Sequence, residues 1–210
     1  MYKADGSGTF SQYDEEQAIL GYFESLPPSH RGAKGHAGRF LDIGAWDPIC
    51  FSNTRALYLK GWSGVMIEPS PTPMLSLLKA YGDEERIVLV QAAVGLEDSL
   101  VNFKMTDDSV STSDAESYAK WKGHAKFLGA VMVRTITWPQ INMWWEGFEF
   151  CNLDAEGVSV DLFHEMLKSG AKPACCCVEH DDRLTELLAK ATSVGYKARM
   201  VNGTNVVLGL

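Results

Sequence analysis

Apolar positions recur at helical spacing at Ala18, Ile19, Tyr22, Phe23 and Leu26 until Pro27 and Pro28 end the run, so the pattern predicts an amphipathic helix over residues 11–26. A polar, glycine-bearing loop follows. Residues 40–44 then form a short continuous apolar run that ends in a glycine turn and reads as a buried strand, and helical spacing returns over 54–60 and closes at Gly61. The unit repeats. Residues 63–67 read as a second strand, after which Ser70 and Pro71 suit the N-cap and first position of a helix carrying Leu75 and Leu78. A third strand is expected over 87–94, with 100–105 as its antiparallel neighbour across the turn Gly95-Leu96-Glu97-Asp98.

Residues 106–129 are polar, with a helix expected around 115–126, and they interrupt the alternation as an insertion would. Segments of this kind often cover active sites or select substrate. Strands are expected again at 131–136, 148–153 and 174–179, with helices at 159–168 and 182–192. The chain closes with 196–201 and 205–208 about Asn202-Gly203, a strong hairpin signal. Repeated strand–helix units point to an α/β, Rossmann-like three-layer sandwich whose sheet is mainly parallel, because right-handed crossovers allow little else. The terminal hairpin adds an antiparallel strand. A length of 210 residues, without internal repeat or linker, suits one domain over 1–210.

Composition narrows the partners more than the fold. Lysine and arginine number 19 against 27 acids, a net charge of −8, which disfavours nucleic acid. No apolar run approaches the roughly 20 residues that span a bilayer, and the first ten residues do not resemble a secretory signal. Cysteine is odd in number, at five, and three of these residues are consecutive at 175–177, so reduced thiols filling a buried strand are expected. These features suggest a cytoplasmic protein.

The sharpest chemistry lies where the first two strands end. Gly44 and Ala45 would let backbone amides approach a ligand closely, and Asp42 could accept hydrogen bonds from a ligand's ammonium group. Glu68, about 25 residues further on and followed by Pro69, is placed to accept both hydroxyls of a ribose, as acids near this spacing do after a dinucleotide fingerprint. Ser52, Asn53 and Thr54 could cap the following helix. Gln91, Ala92 and Ala93 could meet an adenine ring, or be an ordinary interior strand. Asp154 and Glu156 end a later strand, where side chains face the ligand crevice. Asp154 could orient a substrate or accept its proton, while Glu156 either supports that group or faces solvent. His180 is a second candidate base. Asp154, Glu156, His180 and Asp181 could also assemble around a metal ion, although their spacing does not demand one, and none is assigned.

These motifs, in this order, resemble the FkbM family of S-adenosylmethionine (SAM)-dependent methyltransferases. The resemblance runs through Ser11-Gln12-Tyr13-Asp14-Glu15, Asp42-Ile43-Gly44-Ala45, Ser52-Asn53-Thr54, Gly61-Trp62-Ser63-Gly64, Ile67-Glu68-Pro69, Ala93-Val94 and Asp154-Ala155-Glu156-Gly157. It implies a class I methyltransferase fold, with SAM surrounded by Asp42, Gly44, Ala45 and Glu68, and with Asn53 and Thr54 nearby. It also implies that Asp154 approaches the reacting centre and that Gln12, Ser111 and Thr112 belong to the pocket or its lid. Two positions depart from the family pattern: Asn152 stands where lysine or serine is common, and Ala155 replaces valine.

The function expected from both lines is O-methylation of a small-molecule or glycan hydroxyl, with Asp154 as leading base and His180 as competitor. A nicotinamide-dinucleotide oxidoreductase is the alternative that Glu68 would also suit, although a third glycine is missing. A noncatalytic SAM-binding module is the other.

Overall fold

The computed structural model describes residues 8–27, 38–145 and 147–210. Most of the glycine-bearing loop after the first helix lies outside them. In chain order the first half contains α1 (Glu15–Ser25), β1 (Arg39–Ile43), α2 (Arg55–Leu59), β2 (Ser63–Ile67), α3 (Pro71–Tyr81), β3 (Ile87–Val90), β4 (Ala93–Val94) and β5 (Leu100–Thr106). There follow α4 (Ala115–Trp121), β6 (Phe127–Ile136), α5 (Trp138–Trp144), β7 (Phe150–Leu153), α6 (Ser159–Lys168), β8 (Cys175–Glu179), α7 (Leu184–Ser193), β9 (Lys197–Val201) and β10 (Asn205–Gly209).

Seven strands form the main sheet in the order β3-β2-β1-β7-β8-β10-β9. Pairing is parallel from β3 to β8, and β10 runs antiparallel to both β8 and β9. Both faces are covered, which is why the central strands are continuous apolar runs rather than alternating ones. On one face Leu41, Ile43 and Val65 pack with Trp138, Ile141, Phe163 and Leu187 of α5, α6 and α7. On the other, Phe40, Met66 and Phe150 pack with Ile19, Leu57, Leu77 and Tyr81 of α1, α2 and α3. This is the expected three-layer sandwich with its C-terminal hairpin. Cys151 and Cys176 face one core and Cys175 and Cys177 the other, all free thiols, with burial raising the Cys176 thiol to about 12.

Several local expectations give way. The first helix begins at Glu15, because residues 11–14 form bends. On α3 the buried stripe is Met74, Leu77 and Tyr81, whereas Leu75 and Leu78 are exposed. The strand expected over 87–94 breaks at Gln91 and Ala92, where the Ala92 N–H turns back to the Val90 carbonyl.

β4 then leaves the main sheet and pairs in parallel with β6, and β5 pairs antiparallel with β6 rather than with the strand before it. Thr135 of β6 decides that pairing. Its hydroxyl donates to the Glu97 carbonyl and accepts from the Ser99 N–H at 2.9 Å, which fixes the turn at the head of β5 against β6. Of the polar segment 106–129, residues 107–126 are the β5–β6 connection, carrying α4, and its ends belong to β5 and β6. Helix α5 was not expected; Thr137 and Gln140 supply its capping box, a signal present in the sequence. Trp138 is buried and Trp144 is exposed. Among the described residues no helix is long and apolar enough to cross a membrane.

Candidate active site

β2 and β3 extend to one side of β1, and β7 and β8 to the other. The sheet therefore reverses its direction of build between β1 and β7, and ligands of such sheets bind outside the carboxyl ends of the strands at that point. A cleft of about 1070 Å³, counted to its open mouth, lies there. Its wall carries five carboxylates, Asp42, Glu68, Asp154, Glu156 and Glu179, and no lysine, arginine or histidine among the described residues. Gln12 reaches it from the segment before α1, and Ser111 and Thr112 reach it from the β5–β6 connection. A two-way backbone bridge between Lys104 and Thr112 holds that connection against β5.

At the end of β1, Gly44 has φ +80°, and a Cβ there would sit 1.8 Å from the Asp154 carbonyl oxygen. Only glycine allows β1 and β7 to come so close at this turn. The Gly44 and Ala45 amides do not face the cleft as donors; both donate to the Ile67 carbonyl, at 3.0 and 3.3 Å, and so tie the turn to β2. Both residues nonetheless line the cleft.

Glu68 is buried, with Oε2 accepting from the Trp46 N–H at 3.0 Å and Oε1 from the Ser70 N–H at 2.6 Å. Burial raises its carboxyl to about 7 against the pull of those bonds. Asp42 is buried too. Its Oδ2 accepts from the Thr54 hydroxyl at 2.5 Å and its Oδ1 from the Asn152 amide at 2.9 Å, with burial again pushing the carboxyl upward. Each carboxylate oxygen keeps further acceptor capacity for a ligand. Asn53 lines the cleft, while Thr54 stands behind Asp42 outside it. Ile67, Pro69, Ala92 and Ala93 make the neighbouring apolar wall, but Gln91 is exposed and outside it, which corrects its assignment.

Asp154, Glu156 and Glu179 bring carboxylate oxygens within 4.8 Å of one another at the other end of the cleft. Burial, then repulsion from Asp42 and Asp181, raises Asp154 to about 7; burial, then repulsion from Asp154, raises Glu156 to about 8 and moves Glu179 in the same direction. The Trp121 indole donates to Glu156 at 3.3 Å, and the Thr112 hydroxyl donates to the Glu156 carbonyl at 3.0 Å. Asp181 is spent on the backbone, accepting from the Gly157 and Ser159 N–H groups at 3.0 Å each.

His180 is buried against the Asn202 carbonyl, 3.3 Å from Nε2, and does not line the cleft. This removes it as a candidate base and replaces it in the acidic group with Glu179, which sequence reasoning passed over. The available signal was position: Glu179 is the last residue of β8, where the crevice opens. Trp46 and Phe51 were also missed. Their rings stack at 5.7 Å and 17° beside the cleft, both from left-handed backbone, at φ 41° and 57°.

No known protein family and no curated protein matches the chain. Solved structures similar to it include two methyltransferases. The methyltransferase FkbM of Methylobacillus flagellatus shares 14% identity over 95% of this chain and 56% of its own length, with a TM-score of 0.48. A human methyltransferase 10 domain containing protein shares 14% over 92% of this chain and 80% of its own, with a TM-score of 0.49. The strand order with its reversed β10 is by itself that of a class I methyltransferase-like sandwich.

Proposed function

We propose that the protein is a SAM-dependent methyltransferase acting on a hydroxyl group of a small-molecule or glycan acceptor. The observation that carries this reading is the cleft at the switch point, walled by five carboxylates and no basic side chain among the described residues. SAM brings a sulfonium and an ammonium against one carboxylate, a net cation, whereas a nicotinamide dinucleotide brings an anionic pyrophosphate. One unit charge about 4 Å from a carboxylate is worth roughly 4 kcal/mol at a partly screened site, so the sign of the ligand's charge decides between them. A pyrophosphate would also need free amides at the glycine turn, and those of Gly44 and Ala45 are already committed to Ile67.

Glu68 offers one oxygen to each ribose hydroxyl, Asp42 receives the ammonium, and Ile67, Pro69, Ala92 and Ala93 flank the adenine. The cofactor, when bound, supplies an electrophilic methyl carbon. Asp154 and Glu156 line the same cleft as Asp42 and Glu68. Asp154 would take the proton of the acceptor hydroxyl, and a carboxyl near 7 suits a general base at neutral pH. Holding acceptor and cofactor in one cleft supplies much of the rate. The buried free thiols suit a reducing, cytoplasmic setting.

Calorimetry with SAM, S-adenosylhomocysteine and NAD tests the reading. Binding of the first two and not the third is expected; binding of NAD without SAM would replace it with the oxidoreductase.

A further inference from the structure

Asp42 and Asn152 are opposite one another on neighbouring parallel strands, β1 and β7. From Asn152 a line of buried polar groups leads away from Asp42 to the segment before α1. The Asn152 Nδ2 donates to Asp42 Oδ1 at 2.9 Å, the Asn53 Nδ2 donates to Asn152 Oδ1 at 3.0 Å, and the Ser11 hydroxyl donates to Asn53 Oδ1 at 2.7 Å. All four residues are at most 5% exposed.

The line has one direction. An ionised carboxylate can only accept, so Asn152 must turn its NH₂ toward Asp42 and its oxygen toward Asn53. With either amide reversed, an oxygen would face an oxygen or an NH₂ an NH₂, at distances where each contact is now a bond. The Ser11 hydroxyl, which can rotate, is the adaptable end.

We propose that Asn152 is a positioning residue for the cofactor, acting through Asp42: its amide fixes the carboxylate's orientation at the cleft wall and favours its ionised form. The proposal rests on the SAM reading of the cleft. Asp42 has two donors, the Thr54 hydroxyl on one oxygen and Asn152 on the other, and both are neutral. The titratable groups that act on it are Glu68 just beyond β2, Asp154 just beyond β7, Tyr81 of α3 and, through the sheet, the Cys151 thiol of β7. Each of these is neutral or negative, so none supplies a countercharge. The amide of Asn152 is therefore one of the two hydrogen bonds that hold Asp42 ready until a cation arrives.

The test is the affinity for SAM, by calorimetry, of wild type, Asn152→Ala and Asn152→Ser at intervals from pH 6 to 8.5, with melting temperatures recorded in parallel. Loss of one donor from a buried carboxylate favours its protonated form. Asn152→Ala is therefore expected to bind SAM about tenfold more weakly at pH 7, with the acid fall-off in affinity moved to higher pH and the gap narrowing toward pH 8.5. Asn152→Ser keeps a donor and is expected to recover most of the affinity. Should Asn152→Ala fail to fold, the serine variant carries the test, with a smaller shift in the same direction.

A wild-type pH profile in both variants would overturn the proposal, as would an equal weakening at every pH that serine does not relieve, the mark of a merely structural role. Absence of SAM binding by the wild type would bring down the cofactor reading and this inference with it. Wild-type binding with unaltered variants removes Asn152 alone.

Discussion

The two ends of the cleft use the same side-chain chemistry in opposite ways. At the end formed by β1 and β2, Asp42 and Glu68 each have both oxygens engaged by neutral donors fixed in the fold, so their orientation is settled before any ligand binds. At the end formed by β7 and β8, Asp154, Glu156 and Glu179 bring carboxylate oxygens within 4.8 Å of one another, and burial, with repulsion from neighbouring acids that include Asp42 and Asp181, raises their carboxyls. A carboxylate held by N–H and O–H donors is a preformed acceptor. A carboxylate held against other carboxylates is poised to take up a proton or a cation, which suits the end where a proton must be received.

Substitutions separate the two ends. The largest effect is expected from Asp154→Asn, a loss of roughly 10²- to 10⁴-fold in turnover with SAM affinity unchanged, since only the proton acceptor is removed. Unchanged turnover would exclude Asp154 from the proton transfer. Gly44→Ala strikes both ends at once, because the added methyl would meet the Asp154 carbonyl and the backbone would still have to hold φ +80°. It should cost about 3 kcal/mol or more in unfolding experiments and abolish SAM binding.

Glu68→Gln weakens only the preformed end. Loss of a charged acceptor to the ribose should raise the SAM dissociation constant by roughly 10- to 100-fold, about 1.5–3 kcal/mol, while leaving the turnover of saturated enzyme near wild type.

The pH response sharpens the contrast further. Glu68 and Asp154 at about 7 and Glu156 at about 8 lie above their unfolded values near 4, so between those limits the native state holds more protons than the unfolded one. Stability of the ligand-free protein must then fall as pH rises from about 5 through 8. Glu179→Gln removes one member of the repelling group and should raise the melting temperature at pH 8 by several degrees, at about 2–4 °C per kcal/mol for a chain of this size. No gain at pH 8 would mean that the acids at this end do not repel as their spacing implies. The smallest effect belongs to Gln91→Ala, within about 0.5 kcal/mol in both binding and stability, because that side chain is exposed and off the cleft.

The contrast also marks what a sequence can disclose. β1 and β2 emerged nearly residue for residue, since parallel strands buried on both faces leave a continuous apolar run and an acid at the end of such a run points to a crevice. Asp42, Glu68 and Asp154 followed from that rule. Gln91 and His180 also stand one residue past a strand end, as Glu68 and Asp154 do, but the chain turns back to Val90 after the first and the second is held against the Asn202 carbonyl. The line from Ser11 through Asn53 and Asn152 to Asp42 spans separations of 42, 99 and 110 residues, and no local spacing encodes it. The pairing of β5 with β6 depended likewise on Thr135, 36 residues from the Ser99 turn that it fixes.

A crystal structure with S-adenosylhomocysteine tests the central claim most directly. The expected density places the ribose hydroxyls on Glu68, the amino group toward Asp42 and the sulfur facing Asp154. Ligand density elsewhere, or a sulfur directed away from Asp154, would contradict it.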